Sequence, residues 1–337
     1  MSREFIVIPM GDPAGIGPEI VVKSLAKSDI QEEAKLVVIG DRKILQKAVE
    51  ICNVDLEINV ISSPKDGNYK PGVLNLLDLD NIDMDKFSYG EVQAQCGQAA
   101  FDYIKTATDL CLSGEVIAMA TTTINKEAFK AAKIDYIGHS EILEDLTNTK
   151  NPLTMFQVKN LRVFFYSKHV SLHKACEIIS YEGIQELYYK SRDALHMLGI
   201  ENPKIAVAGL NPHSGEHGLF GTEEVDFVIP AIEDLQKKGE SVYGPIGADA
   251  VFYQALHGKY DGVLSLYHDQ GHIATKMVDF HRTVSFTHNL PFLRTSVDHG
   301  TAFDIAGQGI ASEVSLDEAI RYASIYAAKF RENSNKE

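Results

Sequence analysis

The chain has 337 residues, with 32 Lys and Arg against 47 Asp and Glu, and so a formal charge of −15. That balance offers no basic footprint for nucleic acid or an anionic membrane, although a local positive pocket on an acidic protein still accepts an anionic substrate. No stretch approaches the roughly 20 apolar residues of a membrane span, the N-terminal apolar run is too short for a signal peptide, and the scattered Cys52, Cys96, Cys111 and Cys176 form no C-x-x-C pair, so a cytoplasmic, two-domain protein is expected.

In chain order, short apolar runs alternate with longer amphipathic stretches. Residues 5–8 read as a buried strand, followed by a Gly-rich turn at residues 11–18 and a helix opening at Glu19. Residues 36–39 form a second strand, closed by Gly40-Asp41. Between Asp55 and Asp85 the pattern weakens around Pro64, Gly67, Pro71 and Gly72, so loops and short strands are expected. Residues 116–120 run into a threonine tract, and residues 163–166, 205–208 and 262–266 are further strands. Ser315 with Glu318 reads as a capping box for a last helix that repeats Leu316, Ala319, Ile320, Ala323 and Ala327 at helical spacing. The polar tail from Arg331 is expected to fray. Continuous apolar strands separated by helices predict a mostly parallel sheet covered on both faces.

Polar, titratable residues gather just after these strands, where parallel α/β sheets bind ligands. Four stretches stand out: Ser167-Lys168-His169, Asn211-Pro212-His213-Ser214-Gly215-Glu216, Tyr267-His268-Asp269-Gln270-Gly271-His272, and residues 294–301. His169, His213 and His268 each follow a strand. Imidazole is the commonest metal ligand, and three at equivalent strand ends suit Zn2+ or a similar ion. Taken singly, each reads more readily as a satisfied polar residue beside a turn, and only the three together bring the metal reading level with it. Residues 11–18 look like a phosphate-cradling turn but lack G-x-G-x-x-G and the P-loop Lys, and a tight turn before a helix explains them equally. No Ser-His-Asp order, G-x-S-x-G or H-E-x-x-H is present, so hydrolase chemistry has no motif here.

Taken together, residues 11–19 (Gly11-Asp12-Pro13-Ala14-Gly15-Ile16-Gly17-Pro18-Glu19), 211–216, 267–271 and 294–303 resemble the 4-hydroxythreonine-4-phosphate dehydrogenase (PdxA) family. Residues 299–311 are also similar to the cofactor loop of isocitrate and isopropylmalate dehydrogenases. The resemblance implies an α/β fold of that two-domain kind, with α/β/α layers and a cleft between domains. The domains are read as residues 1–135 with 300–337, and residues 136–299, the second carrying most metal and substrate residues. It further implies a homodimer whose active site is shared between subunits, and NAD- or NADP-dependent oxidation and decarboxylation of a phosphorylated hydroxy acid.

Carried over position by position, the family's metal ligands fall on His169, His213 and His268, and its substrate contacts on His139, Ser140, Lys276, Ser285 and Arg294. Lys276 and Asp249 are the catalytic candidates, and Asp298, His299, Gly300 and Thr301 the cofactor-binding ones. Asn125-Lys126 matches a stretch near the family's active site. One divalent metal per site is implied, Zn2+ first, with Mg2+, Mn2+ and Co2+ as alternatives.

The departures point to a branch. Ser140 replaces a usual Thr, Thr123 a Pro, Ser285 the Asn of the biosynthetic enzymes, and His288-Asn289 a Leu-Gly. His272, where those enzymes commonly carry Leu, and Val92-Gln93-Ala94-Gln95 are similar to the branch acting on D-threonate or D-erythronate 4-phosphate. Those acids are the expected substrates. 4-Hydroxythreonine 4-phosphate, with an amine in place of the 2-hydroxyl, is the alternative, because a buried pocket pairs one group or the other. A non-catalytic metabolite-binding protein is the reading from another class, and the intact His169, His213, His268 and Lys276 argue against it.

Overall fold

The computed structural model describes residues 3–335. Its strands are β1 (Phe5–Pro9), β2 (Lys35–Gly40), β3 (Glu57–Val60), β4 (Val73–Asp78), β5 (Ala118–Thr121), β6 (Leu153–Val158), β7 (Leu161–Phe165), β8 (Ile205–Ala208), β9 (Val242–Ile246), β10 (Gly262–Ser265), β11 (Val284–His288) and β12 (Leu293–Ser296). The chain divides into two compact units, Met1–Pro152 with Asn289–Glu332, and Leu153–His288 with Asn333–Glu337. From sequence the changes of domain were placed at 135/136 and 299/300. The chain instead crosses at 152/153 and 288/289, because helix His139–Thr147 packs on helix Ala94–Leu112 and β12 pairs with β5. His139, Ser140 and Arg294 therefore belong to the first unit.

The first unit orders its strands β3-β4-β2-β1-β5-β12, every pair parallel. Ile6, Val7 and Ile8 of β1 and Val37, Val38 and Ile39 of β2 have no exposed surface. Consecutive side chains point to opposite faces, so both faces of the sheet are covered. Each such side chain contributes about 1.5–3 kcal/mol on burial. β4 is one of the short strands expected between Asp55 and Asp85. Its central Asn75 is buried yet satisfied: Nδ2 donates to Asn68 O (3.1 Å), and Oδ1 accepts from Asn59 Nδ2 (2.9 Å) and the Asn68 N–H (2.7 Å).

The closing helix runs Val314–Ser334, with Leu316, Ala319, Ile320, Ala323 and Ala327 fully buried as their spacing indicated. The expected capping box does not form. The helix starts before Ser315, whose Oγ accepts the Asp298 N–H (3.4 Å), while Glu318 pairs with Arg321 (3.1 Å). The Glu313 carbonyl takes the Leu316 and Asp317 N–H groups instead. The helix also continues past Arg331, which is anchored to Glu4 (2.9 Å). Residues 336–337 of the expected tail lie outside the described residues.

The second unit orders its strands β11-β6-β7-β10-β8-β9. β6 is antiparallel to β7 and β11, and the remaining pairs are parallel. Its core gathers Phe156, Val163, Phe165, Ala206, Tyr260 and Val263. The parallel neighbours β7, β10 and β8 bring their C-terminal ends side by side, which is where the histidines sit.

Candidate active site

Helix His268–Val278 follows β10 directly. The turn between them is pinned from both sides. The Leu266 N–H donates to Gln270 Oε1 (2.8 Å), and Gln270 Nε2 donates to Gly209 O beyond β8 (2.7 Å). On the β7 side, the Tyr166 N–H donates to Ser265 O (2.8 Å) and Ser167 Oγ to Leu266 O (3.0 Å). Gly271 is required by packing: a Cβ there would lie 2.6 Å from Phe165 Cε1 and 2.8 Å from Val163 Cγ1.

This framework places the rings of His169 and His268 6.0 Å apart, beside a cleft of about 260 Å3 that Ser167, Lys168 and Tyr267 also line. His268 Nδ1 lies 2.6 Å from Asp269 Oδ1. A carboxylate only accepts, so Nδ1 carries a proton, and in the neutral ring this leaves Nε2 as the nitrogen that would face a metal ion. His272, one turn on, stacks on His268 at 4.0 Å and packs against Phe156 and Phe165. Burial, then the neighbouring His268 and Lys276, push His272 down to about 4, so it is neutral.

His213 lies on a short turn, Pro212–Gly218, in which His213, Ser214, Glu216 and His217 all adopt left-handed backbone, at φ of 53°, 54°, 43° and 55°. The entrance is clamped: Asn211 donates its N–H to Glu224 Oε1 (2.7 Å) and its Nδ2 to Glu224 Oε2 (2.8 Å). The His213 ring lies 6.3 Å from that of Phe220. Among the described residues, no group of three His, Cys, Asp or Glu side chains is placed to hold one metal ion. One chain thus brings His169 and His268 together and does not gather His213 with them. Asp249 is exposed in the first turn of Ala248–Leu256. Lys276 places Nζ 5.1 Å over the Phe280 ring, and Ser285 stands opposite Phe156 in the β11–β6 pair.

The first unit holds a second cluster at its strand ends. Arg294 on β12 is 5% exposed, and its Nε (3.2 Å) and Nη2 (2.8 Å) both donate to Thr121 Oγ1 at the end of β5. Burial pushes the guanidinium down to about 9, which still leaves it cationic at neutral pH. His139 opens helix His139–Thr147 and is half-buried. Desolvation and the Arg294 charge hold its imidazole well below the ordinary histidine range. Nearby loops interlock: the Ile16 N–H donates to Thr301 O (3.1 Å), and Asn125 Nδ2 donates to Thr301 Oγ1 (3.4 Å). Gly11 takes φ +81°, and a Cβ there would collide with Thr122 Oγ1 and Thr123 O. His299 Nδ1 lies 3.1 Å from Gly300 O.

Thr121, Asp269 and Gln270 hold this machinery in place, and the sequence alone assigns none of them a role. Each sat in view, in the threonine tract after β5 or inside a quoted motif. A residue that orients a neighbour leaves no spacing signal of its own.

Imidazoles and a buried guanidinium at the strand ends of parallel sheets are the build of an α/β enzyme acting on a small, charged molecule. The chain matches the family described as "Pyridoxal phosphate biosynthetic protein PdxA" over residues 32–323. It is 57% identical over 329 residues to a protein of Fusobacterium nucleatum subsp. nucleatum provisionally named D-threonate 4-phosphate dehydrogenase, covering 98% of this chain and 99% of that one. A protein of Clostridium botulinum with the same provisional name is 54% identical over 330 residues, covering 98% and 99%. Among solved structures, the 4-hydroxythreonine-4-phosphate dehydrogenase of Klebsiella pneumoniae superposes with a TM-score of 0.90 at 41% identity, covering 96% of this chain and 98% of that one. The chain belongs to the PdxA family, and it is a dehydrogenase acting on a CH–OH group. No helix among the described residues is long and apolar enough to cross a membrane.

Proposed function

We propose that this dehydrogenase oxidises the secondary alcohol of a 4-phosphorylated four-carbon hydroxy acid with NAD+, and that the resulting β-keto acid loses CO2. The preferred substrates are D-threonate 4-phosphate and D-erythronate 4-phosphate, and NADP+ is the alternative cofactor. The identity of 57% along the whole chain to a protein provisionally named for that substrate supports the choice. The observation that carries it is Arg294, a buried cation beside a neutral His139 at a helix N-terminus. A planar guanidinium fork, an imidazole and the free N–H groups of a helix start suit a phosphate dianion. Ser140 adds a hydroxyl at the same helix start, and Ser285 is the residue proposed to meet the 2-hydroxyl.

His169 and His268 would hold the divalent metal. Two imidazoles, one with its tautomer fixed by Asp269, fit Zn2+ by donor chemistry, with Mg2+, Mn2+ and Co2+ as alternatives. When bound, such an ion supplies Lewis-acid polarisation of the substrate oxygen. Lys276 lies on the same helix face as His268 and His272, at successive i+4 positions. It is proposed to take the alcohol proton or to hold the developing oxyanion, with Asp249 as a further catalytic group. Asp298, His299, Gly300 and Thr301 would receive the nicotinamide cofactor. A homodimer that completes the site is proposed, with His213 as a metal donor that one chain does not bring to the other two.

The test is NADH formation with added divalent metal on 4-phospho-D-threonate, 4-phospho-D-erythronate and 4-hydroxythreonine 4-phosphate. A preference of about 100-fold for the sugar acids in kcat/KM, about 2.7 kcal/mol, is expected. The reverse preference would assign the amino acid substrate. Binding of all three without turnover would make this a metabolite-binding protein.

A further inference from the structure

We infer that His272 is a positioning residue that fixes the ring plane of His268. The inference rests on the proposed role of His268 as a metal ligand.

His268 is the first residue of its helix, and its side chain is 40% exposed. A ring at such a place needs outside support to hold one orientation. Asp269 supplies one constraint, the bond from Nδ1. That bond sets the tautomer and one in-plane direction, but leaves rotation about its own axis. The second constraint is the face of His272. Residues four apart lie one above the other on a helix, and the two rings stack with centroids 4.0 Å apart and planes 29° apart.

His272 is itself held by the core. Its ring lies 4.4 Å from Phe156 of β6 at 68°, and 4.7 Å from Phe165 of β7 at 31°. Those two phenyl rings pack edge to face at 5.5 Å. The close approach of Gly271 to Phe165 and Val163 seats this turn of the helix on the strands. A continuous stack therefore runs from the core phenylalanines through His272 to His268. A branched aliphatic side chain at position 272 would fill similar volume but present no flat face, and His268 would keep its bond to Asp269 while losing its plane. Groups that orient a metal-binding histidine typically change metal affinity 10- to 100-fold when removed.

The experiment uses the full chain as wild type, His272→Leu and His272→Phe. Each is stripped with a chelator, checked for its unfolding midpoint, and titrated with Co2+ against a chromophoric chelator while the visible d–d spectrum is recorded. His272→Leu is expected to weaken Co2+ binding about 10- to 100-fold and shift the d–d bands, while His272→Phe, which keeps an aromatic face, stays near wild type in both. Wild-type affinity and spectrum in His272→Leu would overturn the inference. So would a His272→Phe variant as impaired as His272→Leu, since the ring nitrogen and not the stacked face would then matter. Failure of the wild type itself to bind Co2+ would refute the metal reading of His169 and His268, and this inference with it.

Discussion

Asp12 carries a carboxyl group with no exposed surface. One oxygen accepts the Ala14 N–H (2.8 Å), and Oδ2 has no hydrogen-bond partner. Burial raises its pKa from 3.8 to about 6. The same burial acts on Arg294 with a different outcome, because a guanidinium starts far above neutrality and remains charged at about 9. The folded state therefore binds the Asp12 proton more tightly than the unfolded chain does. Its stabilising contribution is complete below pH 4 and is lost as pH rises through about 6. The rise from 3.8 to about 6 corresponds to about 3 kcal/mol. Asp12→Asn removes this titration and leaves the others, so the stability of wild type relative to the variant should fall by roughly that amount between pH 4 and pH 8. Chemical denaturation of both proteins across that range measures it. Stability curves that run parallel with pH would show that Asp12 does not titrate as its burial requires.

At the scale of the element, legibility followed apolar continuity. β1, β2, β5, β7, β8 and β10 were readable as short apolar runs because parallel strands covered on both faces must be apolar throughout. Between Asp55 and Asp85 short strands are legible but not their bounds, because Asn75 interrupts β4 and its amide is satisfied by Asn59 and Asn68, which no local pattern links. β12 reads Leu-Arg-Thr-Ser and is buried along its length, since Arg294 bonds to Thr121 and Thr295 Oγ1 donates to Ala319 O (2.9 Å). Polar burial of this kind depends on partners outside the strand, 173 residues away for Arg294 and 24 for Thr295, so the strand was legible only as a motif. For the same reason the histidines stood out by position, while Thr121 and Gln270 did not. Gly271 is where motif and packing can be tested together. Gly271→Ala forces a methyl toward Phe165 and Val163, and overpacking of this kind costs about 1–3 kcal/mol. The expected result is an unfolding midpoint lowered by several degrees, together with weaker metal binding, because the displaced helix begins with His268. An unchanged midpoint would show that the helix and β7 give way freely.

At the scale of the whole molecule, an acidic chain of net charge −15 is read as binding a multiply charged anion. The attraction has to be local, and a guanidinium buried at a strand end provides it where water screens least. The same chain leaves its proposed metal site short of donors, since two imidazoles come together and the third does not. A second copy would resolve this, and the helix that carries His268 and Lys276 also presents the surface for one. On it Ile273 is 63% exposed and Met277 80%, four residues apart on one face, and Phe280, just beyond the helix end, is 60% exposed. Large apolar side chains so grouped mark an interaction surface. If that surface is the dimer interface, placing a carboxylate in it should separate the copies without disturbing either fold. Wild type is expected to sediment at twice the mass of one chain, and Met277→Glu at the single mass with an unchanged far-UV spectrum. If the partner completes the site, the variant should lose activity in parallel with mass, and both should recover as protein concentration is raised. A wild-type monomer with full activity would remove the need for a second copy, and His213 would then have to reach the metal within its own chain.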